Sequence, residues 1–298
     1  MLKHVLPGLF ISLLISGCSR LDTLSYTPTQ TAETWLMIQP WVELRILGRS
    51  LILVQPSTSA IVYLLGLVTI VAGFYILRLR DDQRSRLWWG VALLLWGLGA
   101  LLAGTSYEAF SYQIKCLGRE TCLWTSGWEI WYLLLSVGSV NAMMIAQAYS
   151  CTTGKWRKYL LLYALLNMSL YAITVSTGTL GSVKFLISFE MLILFAAPSI
   201  VIFLLLNGIR YSRLRQRNDL LLLITWGWLI LTIGAYFLYY LSGLTQALWV
   251  RGIWFSENDV LHIGLIIWMI YIAWMVAPKV EDLPDIHEIR YNPVESMI

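Results

Sequence analysis

Charge is what this sequence has least of. Asp, Glu, Lys and Arg make up 13% of its 298 residues, about half the share of an ordinary soluble domain. Histidine is scarcer still, with His4, His262 and His287 the three in the chain. No glycine-rich phosphate loop, Gly-x-Ser-x-Gly elbow or His-Glu-x-x-His zinc motif occurs. The net charge of +4 is modest, and most of the Lys and Arg residues sit in short loops between apolar blocks. That placement serves orientation in a membrane rather than contact with nucleic acid, which is excluded as a partner.

What fills the chain instead is apolar. Hydrophobic residues make up 58% and the mean hydropathy is +0.68. They come in seven blocks, 59–77, 87–112, 124–149, 159–175, 183–206, 219–241 and 259–277. Each is close to the roughly 20 residues that cross a hydrocarbon core about 30 Å thick. Lipid satisfies no open backbone group, so such spans must be helical. The 15 tryptophans suit the headgroup level of a bilayer. The expected fold is therefore an all-α integral membrane protein, a seven-helix bundle over 57–278. With seven spans and no mid-span lysine in the last, a retinal pigment is excluded, since Lys279 lies beyond the block. A bis-histidine haem fails because His4 and His287 lie outside every span.

The loops set an orientation. Eleven Lys and Arg residues follow the first, third and fifth blocks, against four (Lys115, Arg119, Lys184 and Arg251) in the alternate loops. The positive-inside rule then puts the N-terminus outside and the C-terminus in the cytoplasm. Residues 1–18 agree: Lys3 precedes a short apolar core ending in Ile15-Ser16-Gly17-Cys18. The core is too short to span, and the ending resembles the lipobox of bacterial lipoproteins. It implies a signal peptide, a lipidated Cys18 and a bacterial inner-membrane location. Residues 19–56 read as an extracytoplasmic linker leading to an amphipathic interfacial segment, because Glu43, Arg45 and Arg49 interrupt the apolar run from Trp35. The polar stretch 279–298 reads as a loosely ordered cytoplasmic tail. Cys116 and Cys122, with five residues between them in an outside loop, are placed to form a disulfide, whereas Cys151 at a cytoplasmic helix end stays reduced.

Ionisable residues inside spans are costly and face a bundle interior or a cavity. Here they are Glu108, Glu129, Glu190, Asp259 and His262, all at similar depth toward the outside under this topology. Glu129, for instance, is five residues into its block, about 8 Å along the axis. Asp259 and His262 form an i, i+3 pair on one helical face. Thr125, Glu129, Tyr132, Ser136 and Ser139 make a polar stripe on the third span, and Gly104, Thr105, Glu108 and Tyr112 a similar one on the second. Three spans thus aim polar faces at one outward-opening cavity. The aromatic residues of the last two spans, Trp226, Trp228, Tyr236, Tyr239, Tyr240 and Trp268, read as packing and interfacial anchors.

Seven spans, an outside N-terminus, Gly104-Thr105-Ser106 on the second span, an acid opening the third and Asn258-Asp259-Val260-Leu261-His262 opening the seventh resemble the alkaline ceramidase and adiponectin-receptor superfamily. In that family three histidines hold zinc, a serine and an acid assist, and lipid amides are hydrolysed. The resemblance implies Ser106 as the serine, Glu129 as the acid and general base, and His262 as one zinc ligand. The other two ligand positions hold Phe110 and Asn258, so a retained divalent metal, zinc by preference, would take Glu108, Asp259 and His262. The implied function is a lipid amide or ester hydrolase with membrane lipids as substrates. Without the metal, the same cavity would serve a non-catalytic sensor or a module binding a lipid or small apolar ligand.

The export reading has a direct check. Intact mass spectrometry of the membrane-extracted protein should show loss of residues 1–17 and added acyl chains; a mass that includes Met1 without acylation would establish an uncleaved anchor.

Overall fold

The computed structural model describes residues 20–46 and 48–284. The export segment with Cys18, and the tail beyond Pro284, lie outside the described residues. Among the described residues seven helices are long and apolar enough to cross a membrane. They are α2 (Pro56–Arg78), α3 (Arg84–Ala109), α5 (Gly127–Cys151), α6 (Gly154–Gly181), α7 (Phe189–Leu214), α8 (Arg217–Leu241) and α10 (Glu257–Lys279). Short helices join them: α1 (Ala32–Met37), α4 (Ser111–Lys115) and α9 (Leu244–Val250). The seven-helix expectation is met; five spans lie within three residues of their apolar blocks, whereas α6 extends beyond its block at both ends and α7 starts six residues and ends eight residues later than expected.

The spans close into a ring. α2 packs on α3, α3 on α5, α5 on both α6 and α7, α7 on α8, α8 on α10, and α10 back on α2. α5 is the most buried, in keeping with its polar stripe and small residues. Association of helices in lipid depends on close packing rather than on water exclusion, and α2 and α3 show how it is reached. Gly66 and Gly73 on one helix meet Gly97 and Gly90 on the other, in antiparallel steps of seven residues. A Cβ on Gly97 would lie 2.7 Å from Ile70 Cγ1 and 2.8 Å from the Gly66 carbonyl oxygen. Across the ring, Phe203, Trp226 and Trp89 stack in the core, with Phe203 and Trp226 at 4.3 Å between centroids, and Trp268 meets Trp226 edge-on at 6.3 Å. Trp226 and Trp268 are fully buried, so both are packing residues as the sequence implies.

One end of the bundle carries the Cys116–Cys122 disulfide, which is formed as expected, while Cys151 is free and buried near the opposite end. The segment before α2 is not a lone interfacial piece. Trp41–Ile46 (β1) and Arg49–Val54 (β2) pair as an antiparallel hairpin with Trp41 opposite Val54. Glu43, Arg45 and Arg49, the charges that interrupt the apolar run, lie on these two strands. Residues 20–31 lace across the disulfide loop: Cys122 N–H donates to the Gln30 carbonyl at 2.8 Å and Trp124 N–H to Leu24 at 2.9 Å.

The other end is rich in arginine, and here the chain departs from expectation. Residues 279–284 are docked, not loose. Arg86 donates to the Val280 carbonyl at 2.9 Å and Arg157 to that of Leu283 at 2.6 Å. Asp282 accepts from the Arg84 and Ser85 backbone N–H groups at 2.7 and 2.8 Å, capping the start of α3 from nearly two hundred residues away. Buried arginines that need acceptors recruit the tail backbone, a pairing no local pattern announces.

The glycine seam yields a stability test. Gly97→Val forces α2 and α3 apart, because a backbone carbonyl cannot yield as a side chain can. A loss of about 1–3 kcal/mol is expected from overpacking, read as a lower unfolding midpoint in detergent. Gly208→Val on α7, where no atom lies within 4 Å of the added Cβ, should leave the midpoint nearly unchanged.

Candidate functional site

The polar residues gather at the disulfide end. α3 finishes in a π turn, Gly104–Ala109, in which Phe110 N–H donates to the Thr105 carbonyl five residues back at 3.0 Å. Such turns cost regular hydrogen bonding and are frequent at functional sites. The turn rotates Ser106 and Glu108 inward, both buried. The chain then breaks at Phe110, forms α4 and enters the disulfide loop, whose reversal at Gly118 uses a positive φ of 73°. The disulfide and the Leu123 N–H bond to the Lys115 carbonyl, at 3.0 Å, hold the end of α4 against the start of α5.

That arrangement buries Lys115. Its side chain is 1% exposed and its Nζ lies 2.5 Å from Glu129 Oε1, itself 2% exposed. Glu129 Oε1 also accepts from Ser106 Oγ at 2.8 Å, and Ser106 Oγ lies 2.6 Å from Ser126 Oγ. Three aromatic rings enclose the ammonium, Tyr107 at 4.8 Å, Trp35 at 5.8 Å and Tyr26 at 5.9 Å, and it also donates to the Tyr26 hydroxyl at 3.4 Å. Ring faces attract a desolvated cation. Burial pushes the Lys115 ammonium down, but the Glu129 carboxylate and the Tyr26 hydroxyl outweigh it, and the net displacement is above the usual lysine value. Burial raises the Tyr26 hydroxyl, partly offset by Lys115. The raised Lys115 value therefore contributes stability that is fully present below about pH 10.5 and is lost as pH climbs through the raised folded value.

The second group lies toward α10. Asp259 is fully buried and caps its own helix: Oδ2 accepts from Ser256 N–H at 2.5 Å and from Ser57 Oγ at 3.5 Å, while Oδ1 has no partner. Glu108 is within electrostatic reach of Asp259, and its Oε2 is likewise buried without a partner. Tyr132 lies within reach of both Glu108 and Glu129, its ring packed edge-on against Tyr107 at 5.9 Å.

Ser106 and Glu129, paired in the sequence reading, are in direct contact. Glu108 and Asp259 lie within electrostatic reach of each other, and Tyr132 within that of Glu108 and Glu129. His262 is a correction: its ring is half-buried, its Nδ1 has no partner, and it shares no interaction with either carboxylate. Being on the same helical face as Asp259 was not enough, because Asp259 turns back to its own N-terminus. Among the described residues no group of three or more His, Cys, Asp or Glu is placed to hold a metal ion. The residues present thus do not fit the expected zinc set of Glu108, Asp259 and His262, and no chemistry is derived through it. Glu190 is a further correction. Residues 184–187 form a 3-10 turn, so α7 starts only at Phe189 and leaves Glu190 exposed in its first turn.

Lys115 was counted in the sequence as an orientation charge, and its partners Tyr26 and Trp35 were unforeseen. No periodicity connects them, since the aromatic residues come from the segment before the first span. Beside the network a pocket of about 380 Å³ opens at the disulfide end, lined by Leu21, Ile114, Arg119, Thr125, Ser126 and Trp128 among others. It reaches the network through Ser126.

A family model described as a family of unknown function (DUF6962) matches residues 57–279, the whole seven-helix region. No curated protein and no solved structure matches the chain.

The buried pair can be tested as a unit. Lys115→Met and Glu129→Met should each cost about 3–5 kcal/mol, because each strands one buried polar partner. The double variant Lys115→Met/Glu129→Met should recover most of that loss in a thermal unfolding cycle; additive losses would show that the two side chains act independently.

Proposed function

The chain belongs to this family of unknown function, and from its geometry we propose that it is a multi-pass membrane protein that binds a lipid or small apolar ligand without turning it over. The observation that carries this reading is the closure of the Ser106–Glu129 pair. A serine hydrolase needs a base free to take the hydroxyl proton and a path for substrate to the oxygen. Here Glu129 is neutralised by Lys115 and roofed by Tyr26 and Trp35, and Ser106 is fully buried. A ceramidase-like zinc hydrolase would also need a ligand set that the described residues do not assemble. Among the described residues, the pocket beside Ser126 stands open. Its wall mixes apolar side chains with Arg119, Thr125 and Ser126, as suits an amphiphile. The half-exposed Trp128 at its rim fits the headgroup level of a bilayer.

In this reading the disulfide end faces the extracytoplasmic space and the arginine end the cytoplasm of a bacterial inner membrane. The supports are the eleven-to-four loop bias and the lipobox-like start, together with a disulfide at the end assigned to the oxidising side. Sensing follows from connectivity: the N-terminal segment, the disulfide loop and two spans meet at one buried pair, so a ligand at the pocket acts on all of them.

Native mass spectrometry of the protein in mild detergent should find a retained lipid-sized mass. Ile114→Trp, which fills the pocket from its wall, should lower the retained fraction about tenfold. Release of fatty acid from a fluorogenic ceramide analogue, abolished by Ser106→Ala, would overturn this reading in favour of the hydrolase.

A further inference from the structure

The start of α5 is left without its usual caps. Ser126 precedes the helix with an extended backbone, the N-cap position, yet its side chain accepts no bond from the first turn. Its Oγ lies 2.6 Å from Ser106 Oγ instead, drawn into the Glu129 network. Glu129, the acid of that first turn, is taken by Lys115 at 2.5 Å. The N–H groups of Glu129 and Ile130 both return to the Ser126 carbonyl, at 3.1 and 3.3 Å. Those of Gly127 and Trp128 have no acceptor among the described residues. A helix start in this condition presents open donors and about half a positive charge.

Two side chains beside it point to a ligand. Thr125 is 2% exposed and lines the pocket of about 380 Å³ together with Ser126, Gly127 and Trp128. Its hydroxyl has no hydrogen-bond partner among the described residues, and it is not sealed in the core as the Thr69 hydroxyl is. The surface it keeps borders the pocket. Arg119, which also lines the pocket, supplies a cation. The disulfide loop sets it there: Arg119 N–H donates to the Cys116 carbonyl at 3.1 Å, across the turn at Gly118, and both cysteines are fully buried. Arg119 Nη2 lies 3.3 Å from Asp22 Oδ1, and both side chains are partly exposed. A guanidinium has five N–H donors, and an exposed pair contributes little to stability. Arg119 therefore has capacity for a second anion.

We propose that this pocket is an anion-binding site that seats a phosphate group at the start of α5, on the Gly127 and Trp128 N–H groups, the Thr125 hydroxyl and the Arg119 guanidinium. Backbone, hydroxyl and guanidinium donors border one space. That set suits a tetrahedral oxyanion with several acceptor oxygens better than a carboxylate with two. The acids nearby do not forbid it. Glu129 is neutralised by Lys115, Asp22 is paired with Arg119 itself, and Glu120 is exposed. Leu21, Ile114 and Leu123 add apolar wall, so the phosphate belongs to an amphiphile, as the head group of a phospholipid. That last step rests on the ligand-binding reading above. The anion contacts do not.

The test uses the full chain in non-ionic detergent near neutral pH, with native mass spectrometry for retained lipid and thermal unfolding for stability. The probes are dioctanoyl phosphatidic acid, dioctanoylglycerol (the same chains without the phosphate) and inorganic phosphate. The wild type should retain the phosphatidic acid about tenfold more than the glycerol. Arg119→Gln and Thr125→Val should each lower that retention about tenfold, since each removes one bond to a charged group. Thr125→Val should leave the ligand-free unfolding midpoint unchanged, because its hydroxyl has no protein partner to lose. Equal retention of the two lipids by the wild type would overturn the anion site and leave the ligand-binding reading standing. A preference unchanged in either variant would overturn the site as drawn. Retention of neither lipid, with a midpoint that inorganic phosphate raises in the wild type but not in Arg119→Gln, would keep the anion site for a free phosphate and sink the ligand-binding reading. No response to any probe would sink both.

Discussion

Glu129 stands one turn into α5, where a charged carboxylate has neither water nor lipid headgroups to solvate it, and Lys115 is brought to it from the end of a five-residue helix. Each would be intolerable alone in that position, so the surrounding chain has to deliver both. The disulfide and the loop bonds hold α4 in place, the π turn aims Ser106 at the same carboxylate, and Tyr26 and Trp35 cover the ammonium from above. The short helix, the loop, the N-terminal segment and two spans therefore share one electrostatic requirement. Satisfying it closes the site that the serine and the acid would otherwise open.

The rest of the bundle answers a different constraint. Lipid offers no hydrophobic gain for bringing helices together, so contact area and polar satisfaction do the work. The glycine seam between α2 and α3 supplies the first, and interhelical bonds such as Ser139 Oγ to the Ala92 carbonyl at 2.7 Å supply the second. At the arginine end, Arg86 and Arg157, counted in the sequence as orientation charges, anchor the described part of the returning tail.

The spans were legible because a bilayer imposes a length and a composition that survive without any knowledge of neighbours. The disulfide was legible for a similar reason, since a short loop brings its own cysteines together. The Ser106–Glu129 contact was partly legible through polar stripes on adjacent spans. The β-hairpin was not, because alternation over a few residues with mixed charges reads equally as an interfacial segment. The docked tail was not, because its partners are backbone atoms of a segment that looks polar and unstructured.

The sequence by itself determined a seven-span helical membrane protein, with a charge asymmetry between its loops and buried acids near one end. Those properties depend on local composition and on the solvent around each segment. Which acid meets a cation and which stays bare was decided only by tertiary structure. Lys115 and Glu129 are fourteen residues apart with a disulfide loop between them, and Asp259 chose its own helix terminus over His262. Electrostatic partnership in a dry interior depends on distances of a few ångströms, and only the packed bundle sets those.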